Sequence, residues 1–490
     1  MQIILFTDVA DTIGYGKYAG TYKLATELRS NGYSCQVIDN FSYYSWEQLT
    51  SLATKFISSD TVLVGFSCTL SEKRINGKVY NFGMEDERFM DFLQFIKNIN
   101  PNTKVALGGA RMNNMCHWKG VDFVVLNKAD RAIIAILEHL LYSKELIVQR
   151  HTPSKLVDGN DYPYSQDDFS TSQIIFEPHD IIFPNEALPI EVSRGCIFAC
   201  AFCRYDHIGK KIGEWQKNAT TLRNEFLRNY EIYGTTNYMF SDELINESLD
   251  KMQFLCDVVS SLPFKLQYTS YARIDLIWRY PEMRELLLQS GAISLQFGIE
   301  TLNEQVGKKI GKGLATQKVK DTITYCSELW RGKIIMASNF IVGLPHEDEN
   351  SIWRTVDYLV SDECKLDVFG FLPLAIKVED DGRKASKIDL DPKKFGYKIV
   401  ATNDWDNGHM KYADARRLVS KIWQDPRVQK KAKFGAATWI GRVINLGYTI
   451  EHIFDLLDNT THTYKSCKKL FIDSSNNKKL EYYNKLMELK

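Results

Sequence analysis

Three cysteines, Cys196, Cys200 and Cys203, are the residues of this sequence best suited to chemistry, and their spacing is CxxxCxxC. A structural zinc site usually takes four protein ligands from two pairs, and no second Cys or His pair at zinc-finger spacing follows. Three thiolates can instead bind three irons of a 4Fe-4S cluster and leave the fourth iron open. The spacing therefore predicts such a cluster, with zinc or a cluster of another function as the alternative.

The other cysteines give no comparable pattern. They stand singly, mostly among apolar neighbours, which is typical of reduced and buried side chains. These seven residues are Cys35, Cys68, Cys116, Cys256, Cys326, Cys364 and Cys467.

Alternating segments around the cluster must position its cysteines. From LPIEVS, just before the cluster, to LDVFGFLPL, short apolar runs alternate with amphipathic stretches. Six such repeats predict a partial (β/α)6 TIM-type barrel, open on one side, over residues 188–375. The cysteines would then follow the first barrel strand, at the carboxyl end where such folds bind their ligands.

A similar alternation occupies the beginning of the chain, in the apolar runs QIILFT, CQVID, TVLVGFSC, KVALGGA and DFVVL. It predicts a Rossmann-type, doubly wound parallel sheet over residues 1–150. Residues 151–187 are rich in Pro, Asp and Ser and form a predicted linker, and residues 376–490 form a mostly helical C-terminal region. The predicted fold class is therefore α/β.

The cluster motif directly after the first barrel strand, with five further βα units behind it, resembles the radical S-adenosylmethionine (SAM) enzymes from about residue 186 to 375. The resemblance implies that SAM binds the open iron through its amino and carboxylate groups. It also implies that an electron from the cluster cleaves SAM to a 5′-deoxyadenosyl radical, which abstracts hydrogen from a substrate. A flavodoxin or ferredoxin is the electron donor expected from the family.

The resemblance also suggests which side chains would hold SAM. Asp242 and Glu243 replace the common Gly-Gly-Glu element whose acid accepts from the SAM ammonium, so either carboxylate could serve. Arg273 could pair with the SAM carboxylate, or with Asp275 in a surface ion pair. The other matching positions are Phe202 and Tyr205 against the adenine, Ser270 on the third strand, Gln296 and Glu300 at the ribose or methionine, and Asn339, Ile341 and Gly343 in a turn beside the adenine.

A doubly wound domain before such a barrel resembles the cobalamin-binding, class B-like subgroup of these enzymes. Ser67 and Leu70 match a Ser-x-x-Leu element, and Gly108 and Gly109 match a Gly-Gly element. A nucleotide tail beside a sheet needs a hydroxyl partner and residues without bulky side chains. The axial-ligand motif DxHxxG would fall in TDVADTIG, where Ala10 replaces the histidine, so a cobalamin here would lack the usual lower ligand.

Two other interpretations of this domain are open. GYGKYAG, with Asp39 at the end of the second strand, resembles a dinucleotide fingerprint, although its GxGxxxG spacing is a weak match. The domain could also bind nothing and cover the open side of the barrel.

The overall composition limits the classes of partner that we expect for this protein. Lys plus Arg and Asp plus Glu are both 61 among 490 residues, so the chain lacks the basic excess that nucleic-acid binding usually needs. The start, MQIILFTDVADT, has no basic flank or cleavage site, and no segment has the length to span a bilayer. We expect a cytoplasmic protein without membrane or nucleic-acid partners.

The C-terminal region offers weaker candidates. A first group of aromatic and titratable side chains could line the rim of a pocket, although ordinary packing explains these residues more simply. A basic cluster is typical of a solvated helix face, but would suit a phosphate-bearing substrate. The first group is Trp405, His409, Met410 and Tyr412, and the second is Arg427, Lys430, Lys431 and Lys433.

The sequence therefore predicts a radical SAM enzyme acting on an unknown small molecule or peptide. With cobalamin, the resemblance implies methyl transfer to an unactivated carbon or a related rearrangement. Without it, oxidation, cleavage or cyclisation is expected. A cluster-binding or cobalamin-binding sensor without turnover is the alternative from another class, and the ordered set of Asp242, Glu243, Arg273 and Glu300 argues against it.

Overall fold

The computed structural model divides into two compact units. The first comprises the chain up to Phe183 together with the final segment from Ser475, and the second comprises the residues between Pro184 and Ser474. The structure describes residues 2–8, 14–67, 72–75, 78–81, 87–109, 112, 119–205, 207–377, 384–434 and 438–489.

The strands of the first unit are β1 (Ile3–Phe6), β2 (Cys35–Ile38), β3 (Leu63–Ser67), β4 (Glu72–Ile75), β5 (Lys78–Asn81), β6 (Lys104–Gly108), β7 (Phe123–Leu126) and β8 (Lys155–Asp158). Six of them form a parallel sheet in the order β2-β1-β3-β6-β7-β8, and β4 pairs with β5 in an antiparallel hairpin. The strand order reverses between β1 and β3, where doubly wound sheets leave a ligand crevice at the carboxyl ends. The predicted doubly wound sheet is confirmed.

Amphipathic helices cover this sheet. Helix α2 (Trp46–Phe56) is capped by Ser45, whose side chain and Gln48 form a reciprocal capping box, and it turns Leu49 and Leu52 into the core. The helices of this part of the chain are α1 (Ala19–Ser30), α2 (Trp46–Phe56), α3 (Glu87–Ile99), α4 (Ala132–Tyr142) and α5 (Gln166–Ser170).

The second unit is built on six parallel strands that pair strictly in chain order and form an open sheet. This arrangement confirms the predicted partial barrel. The strands are β9 (Leu188–Ile190), β10 (Asn237–Phe240), β11 (Gln267–Ala272), β12 (Ala292–Glu300), β13 (Ile335–Val342) and β14 (Val368–Pro373), followed by an antiparallel pair, β15 (Lys398–Ala401) and β16 (Asp404–Asp406).

Helices alternate with the barrel strands and then dominate, which confirms the predicted helical C-terminal region. No helix among the described residues combines the length and apolar character that crossing a membrane requires. The remaining helices are α6 (Ala219–Tyr233), α7 (Leu249–Ser260), α8 (Ile274–Arg279), α9 (Met283–Gln289), α10 (Glu304–Ile310), α11 (Thr316–Trp330), α12 (Glu349–Val360), α13 (Lys387–Leu390), α14 (Tyr412–Gln424), α15 (Pro426–Lys431), α16 (Thr438–Ile444), α17 (Ile450–Asp458) and α18 (Tyr464–Glu488).

The two faces of the barrel sheet have different neighbours. On one face Phe240 packs against Phe226 of α6, and the ring of Tyr268 stacks on Phe240 at 4.1 Å. On the opposite face lies α16, where a Cβ added to Gly441 would stand 2.5 Å from Cγ of Met239. Because side chains alternate along a strand, each barrel residue belongs to one of two sets. The helix-facing set lies on the side of α6, and the inner set lies on the side of α16.

The final part of α18 completes the core of the first unit. Tyr482 is fully buried, and the ammonium of Lys17 lies 4.3 Å from the centre of its ring. Lys17 also forms a buried ion pair with Asp39 at 3.0 Å, and the N–H of Asp39 donates to the Tyr482 hydroxyl at 3.4 Å. The ammonium is therefore held by both a carboxylate and an aromatic face.

Replacing Tyr482 by alanine should destabilise the first unit by about 3–5 kcal/mol, because a buried aromatic ring and its contact with Lys17 are lost. Leu480→Ala, on the same helix but 44% exposed, is the matched control and should change stability by less than about 0.5 kcal/mol. Urea unfolding combined with hydrogen exchange in β1 and β2 measures both. Equal exchange in the two variants would contradict the assignment.

Candidate active site

The cysteine loop follows β9 and is fixed by its own backbone. The N–H of Cys196 donates to the carbonyl of His207 at 3.2 Å, and the carbonyl of Cys196 accepts from the N–H of Gly209 at 2.8 Å. Gly195 has a φ of 82°, and a Cβ there would stand 2.5 Å from the His207 oxygen. Only glycine fits this entry to the loop.

The three thiols lie in a partly buried site and influence one another. Burial raises the pKa of Cys196 to about 11 and also raises the pKa of Cys203, and the nearby Cys200 adds to both shifts. Arg273 opposes the shift at Cys196, and its Nη1 donates to Sγ of Cys200 at 3.3 Å. Metal ligation requires thiolates, so binding here must release protons and be supported by nearby positive charge.

These residues fit a cluster better than a single metal ion. Among the described residues, no group of three His, Cys, Asp or Glu side chains is arranged to hold one ion. In an iron–sulfur cluster with three protein thiolates, each thiolate binds a different iron, so the sulfurs need not converge on one point. Three thiols on one short loop, beside two cationic side chains, match that requirement.

The two cationic side chains are Arg273 and Lys312. Arg273 forms a bidentate pair with Asp275 at 2.6 and 2.8 Å, so the ion pair suggested by the sequence exists, but the Arg273 side chain is only 7% exposed. Lys312 donates to the carbonyl of Gly298 at 2.7 Å, lies 3.8 Å from the carboxylate of Glu300, and opposes the rise in the pKa of Cys196 and Cys203. Sequence reasoning missed Lys312, because a lone lysine between α10 and α11 has no local signal.

Asp242 and Glu243 have different roles. Asp242 is fully buried and accepts from the N–H and the hydroxyl of Ser193 at 2.7 Å each, and from Lys251 at 3.3 Å. Glu243 is half-buried, accepts from the N–H of Gly195 at 2.7 Å, and has its pKa raised to about 7 by burial. Asp242 therefore anchors the chain before the cysteines, and Glu243 is the carboxylate free enough to meet a ligand.

Several predicted residues lie near the cysteine loop or on the inner face. The Phe202 ring lies 6.0 Å from the Lys312 ammonium, which also approaches Glu300. Glu300 has a φ of 67°, rare for a residue with a side chain, at the point where β12 leaves its register with β13. The register from Met239 places Gln296 and Asn339 on the inner face, where Oδ1 of Asn339 is buried and accepts no hydrogen bond from the described residues.

Three other predicted residues are placed differently. Ser270 shares the helix-facing side of β11 with Tyr268, because side chains alternate along a strand, and its contact with SAM stays a prediction. Tyr205 is 57% exposed. Gly343 has a φ of 93°, and the space where a Cβ would lie is filled by the ring of Trp405. Trp405 is thus a buried packing residue, which agrees with ordinary packing, the simpler interpretation of the C-terminal aromatic residues.

In the first unit, Ser67 and Gly108 are direct neighbours across β3 and β6 at the carboxyl edge of the sheet. Gly109 follows at once, whereas Leu70 and Ala10 lie outside the described residues. The side by side hydroxyl and glycines fit the requirement for a nucleotide tail. Asp39 does not fit the dinucleotide interpretation, because Lys17 at 3.0 Å and the Tyr22 hydroxyl at 2.6 Å already occupy one of its oxygens in the interior.

Replacing Arg273 by methionine should lower the reduction potential of the reconstituted cluster by about 60 mV. The charged hydrogen bond to Cys200 is worth about 1.5 kcal/mol, which corresponds to about 60 mV for one electron. Arg279→Met, an exposed position on α8, is the control and should leave the potential unchanged. A redox titration followed by electron paramagnetic resonance measures the shift. A potential that is the same in both variants would disprove the role of Arg273.

Comparison with known proteins shows distant relatives. The chain is 23% identical to bacteriochlorophyllide d C-12(1)-methyltransferase of Chlorobaculum tepidum over 188 residues, which cover 38% of this chain and 40% of that protein. Matches to the curated relatives span only 40 to 59% of those proteins' lengths.

Two solved structures share the fold. The radical SAM methyltransferase TsrM from Kitasatospora setae, solved with tryptophan and a SAM analogue, has a TM-score of 0.64 at 13% identity and covers 96% of both chains. The cobalamin-dependent SAM radical enzyme OxsB has a TM-score of 0.54 at 16% identity, covering 81% of this chain and 56% of its own. At these identities the likeness concerns the fold alone.

The family follows from the sequence of the barrel itself. The profile of the Radical SAM superfamily matches residues 190–359, from the end of β9 to the end of α12. This range contains the three cysteines and every position predicted to contact SAM. The family implies a 4Fe-4S cluster and SAM as cofactors, and the cysteine loop fits the first of these. Residues 190–359 therefore form a domain of the Radical SAM superfamily.

Proposed function

We propose that this protein is a cobalamin-dependent radical SAM enzyme that transfers a methyl group to its substrate. The observation that carries the proposal is the pairing of Ser67 with Gly108 at the carboxyl edge of a doubly wound sheet, in a chain that also holds the cysteine loop. TsrM, which shares the fold, was solved with cobalamin and a 4Fe-4S cluster bound, and two relatives are named methyltransferases.

In this proposal Cys196, Cys200 and Cys203 hold three irons of the cluster, whose open iron and electron supply the reductive cleavage of SAM. Arg273 and Lys312 offset the negative charge that the three thiolates bring into a partly buried site. The electron donor would be a flavodoxin or ferredoxin.

Residues around the loop would orient SAM. Glu243 would accept from its ammonium, and Phe202 would pack against its adenine. Gln296 and Glu300 on β12, with Asn339 on the neighbouring strand β13, would offer further acceptors towards its ribose or methionine.

Cobalamin, when bound, supplies a carrier for the methyl group. Ser67 would bind its nucleotide tail, and Gly108 and Gly109 would leave room beside the sheet, with Leu70 completing the element. Because residue 10 is alanine, the loop after β1 has no imidazole at the motif position to ligate cobalt. The same departure supports a second candidate, radical oxidation, cleavage or cyclisation without cobalamin.

Substitution of the two adjacent acids separates their roles. Glu243→Gln should weaken SAM binding by about tenfold or more, since an ionic hydrogen bond to the ammonium is lost, with little change in stability. Asp242→Asn should mainly destabilise the protein, because the buried Lys251 loses its charge partner. Calorimetric titration of the reconstituted protein with SAM, together with thermal unfolding, tests both. A larger loss of SAM binding in Asp242→Asn than in Glu243→Gln would reverse the assignment.

The anaerobic assay tests the function as a whole. The reconstituted protein receives SAM, dithionite and hydroxocobalamin, and 5′-deoxyadenosine and S-adenosylhomocysteine are quantified by mass spectrometry. For a methyltransferase we expect S-adenosylhomocysteine, formed only when cobalamin is present. Deoxyadenosine alone would support the cobalamin-independent candidate instead.

Cys200→Ala is the matched variant for this assay. It removes one cluster ligand on a loop whose backbone bonds remain, so deoxyadenosine should disappear. Unchanged formation would refute the radical mechanism. Neither product from wild-type protein with an intact cluster spectrum would favour a sensor.

A further inference from the structure

The segment that follows the barrel, residues 384–398, lies directly on the cysteine loop. The ammonium of Lys387 donates to the carbonyl of Ala199 at 2.8 Å, and the N–H of Ile388 donates to the carbonyl of Ala201 at 3.0 Å. Ala199 and Ala201 flank Cys200. The segment therefore covers the outer side of the loop that carries the thiols.

A salt bridge fixes this segment to the loop. Arg204, the residue after Cys203, forms a bidentate pair with Asp389 at 2.6 Å for both bonds, and Asp389 is 5% exposed. The same carboxylate accepts from the N–H groups of Lys377 and Ser386 at 2.9 and 2.8 Å. Asp389 is thus fully used inside the fold and contributes no free negative charge to the surface.

The exposed part of the segment is basic and contains one large apolar side chain. Leu390 is 75% exposed, the most exposed of the large apolar side chains among the described residues. The segment has five lysines against two aspartates, and one of these, Asp389, is neutralised by Arg204. Three acids that precede it, residues 379–381, lie outside the described part of the chain. The exposed lysines are Lys384, Lys387, Lys393, Lys394 and Lys398.

We infer that this surface, the lysine face formed by Leu390 and the five lysines, docks a small electron-transfer protein with an acidic surface. The inference rests on the proposed function, which needs a one-electron donor for the cluster. One electron would pass from the reduced donor to the cluster, leaving the donor oxidised by one electron.

Charge and position support this partner. A positive patch steers an acidic protein towards it and fixes its orientation, and an exposed leucine gives the apolar contact found at the centre of interfaces. The donor would then stand over backbone that is hydrogen-bonded to the residues on both sides of Cys200.

Charge reversal tests the lysine face. The variant Lys393→Glu/Lys394→Glu changes two exposed lysines that make no described contact with the cysteine loop. The matched control, Lys333→Glu/Lys365→Glu, reverses two exposed lysines just before β13 and β14, at the amino ends of the strands. Binding of oxidised flavodoxin to the reconstituted protein is measured by calorimetry at low and high salt, and cluster reduction by reduced flavodoxin or by dithionite is followed by stopped flow.

The lysine face predicts about tenfold weaker flavodoxin binding, a shallower salt dependence and slower reduction by flavodoxin in the first variant, with dithionite reduction unchanged. The control should behave as wild type. Equal effects of the two variants, slowing with dithionite as well, or no flavodoxin binding by the wild type would overturn the inference. Absence of deoxyadenosine with dithionite would instead refute the proposed function, while the binding data still decide the docking surface.

Discussion

Three thiols on one short loop must be held close together in a partly buried place, and the arrangement of the barrel unit follows from this constraint. Thiolates repel one another and lose hydration when buried, so nearby cations and many backbone hydrogen bonds have to offset that cost. Arg273 donates a hydrogen bond to Cys200 itself, and Lys312, between α10 and α11, adds a second positive charge. Gly195, Asp242 and the segment around Asp389 then fix the path of the loop.

The architecture and the cysteine loop after the first barrel strand could be predicted because their signals are local. Apolar runs of strand length give the parallel sheets, and the cysteine spacing is contained in eight residues. The separate roles of Asp242 and Glu243 could not be predicted, because they depend on Lys251 and on backbone donors brought in by folding. Lys312 and Asp389 were missed for the same reason, since each acts across a long stretch of sequence.

Motif matching also takes no account of the direction in which side chains point. Ser270 stands in a matching order on the third barrel strand, but strand alternation, which is readable from sequence once a neighbour is placed, turns it towards the helices. Gly343 is required, yet the structural reason is Trp405, more than sixty residues further along the chain. In the first unit, one oxygen of Asp39, the acid at the end of β2, is paired with Lys17, which only the folded chain reveals.

The position of helix α18 late in the chain affects how the first unit can fold during synthesis. The first unit takes Tyr482 into its core, but Tyr482 is translated only after every residue of the second unit. Domains usually fold in the order in which they leave the ribosome. Here the nascent first unit must wait with an unfilled position beside Lys17 while the cluster-binding barrel is made, so chaperones and proteases meet it in an incomplete state.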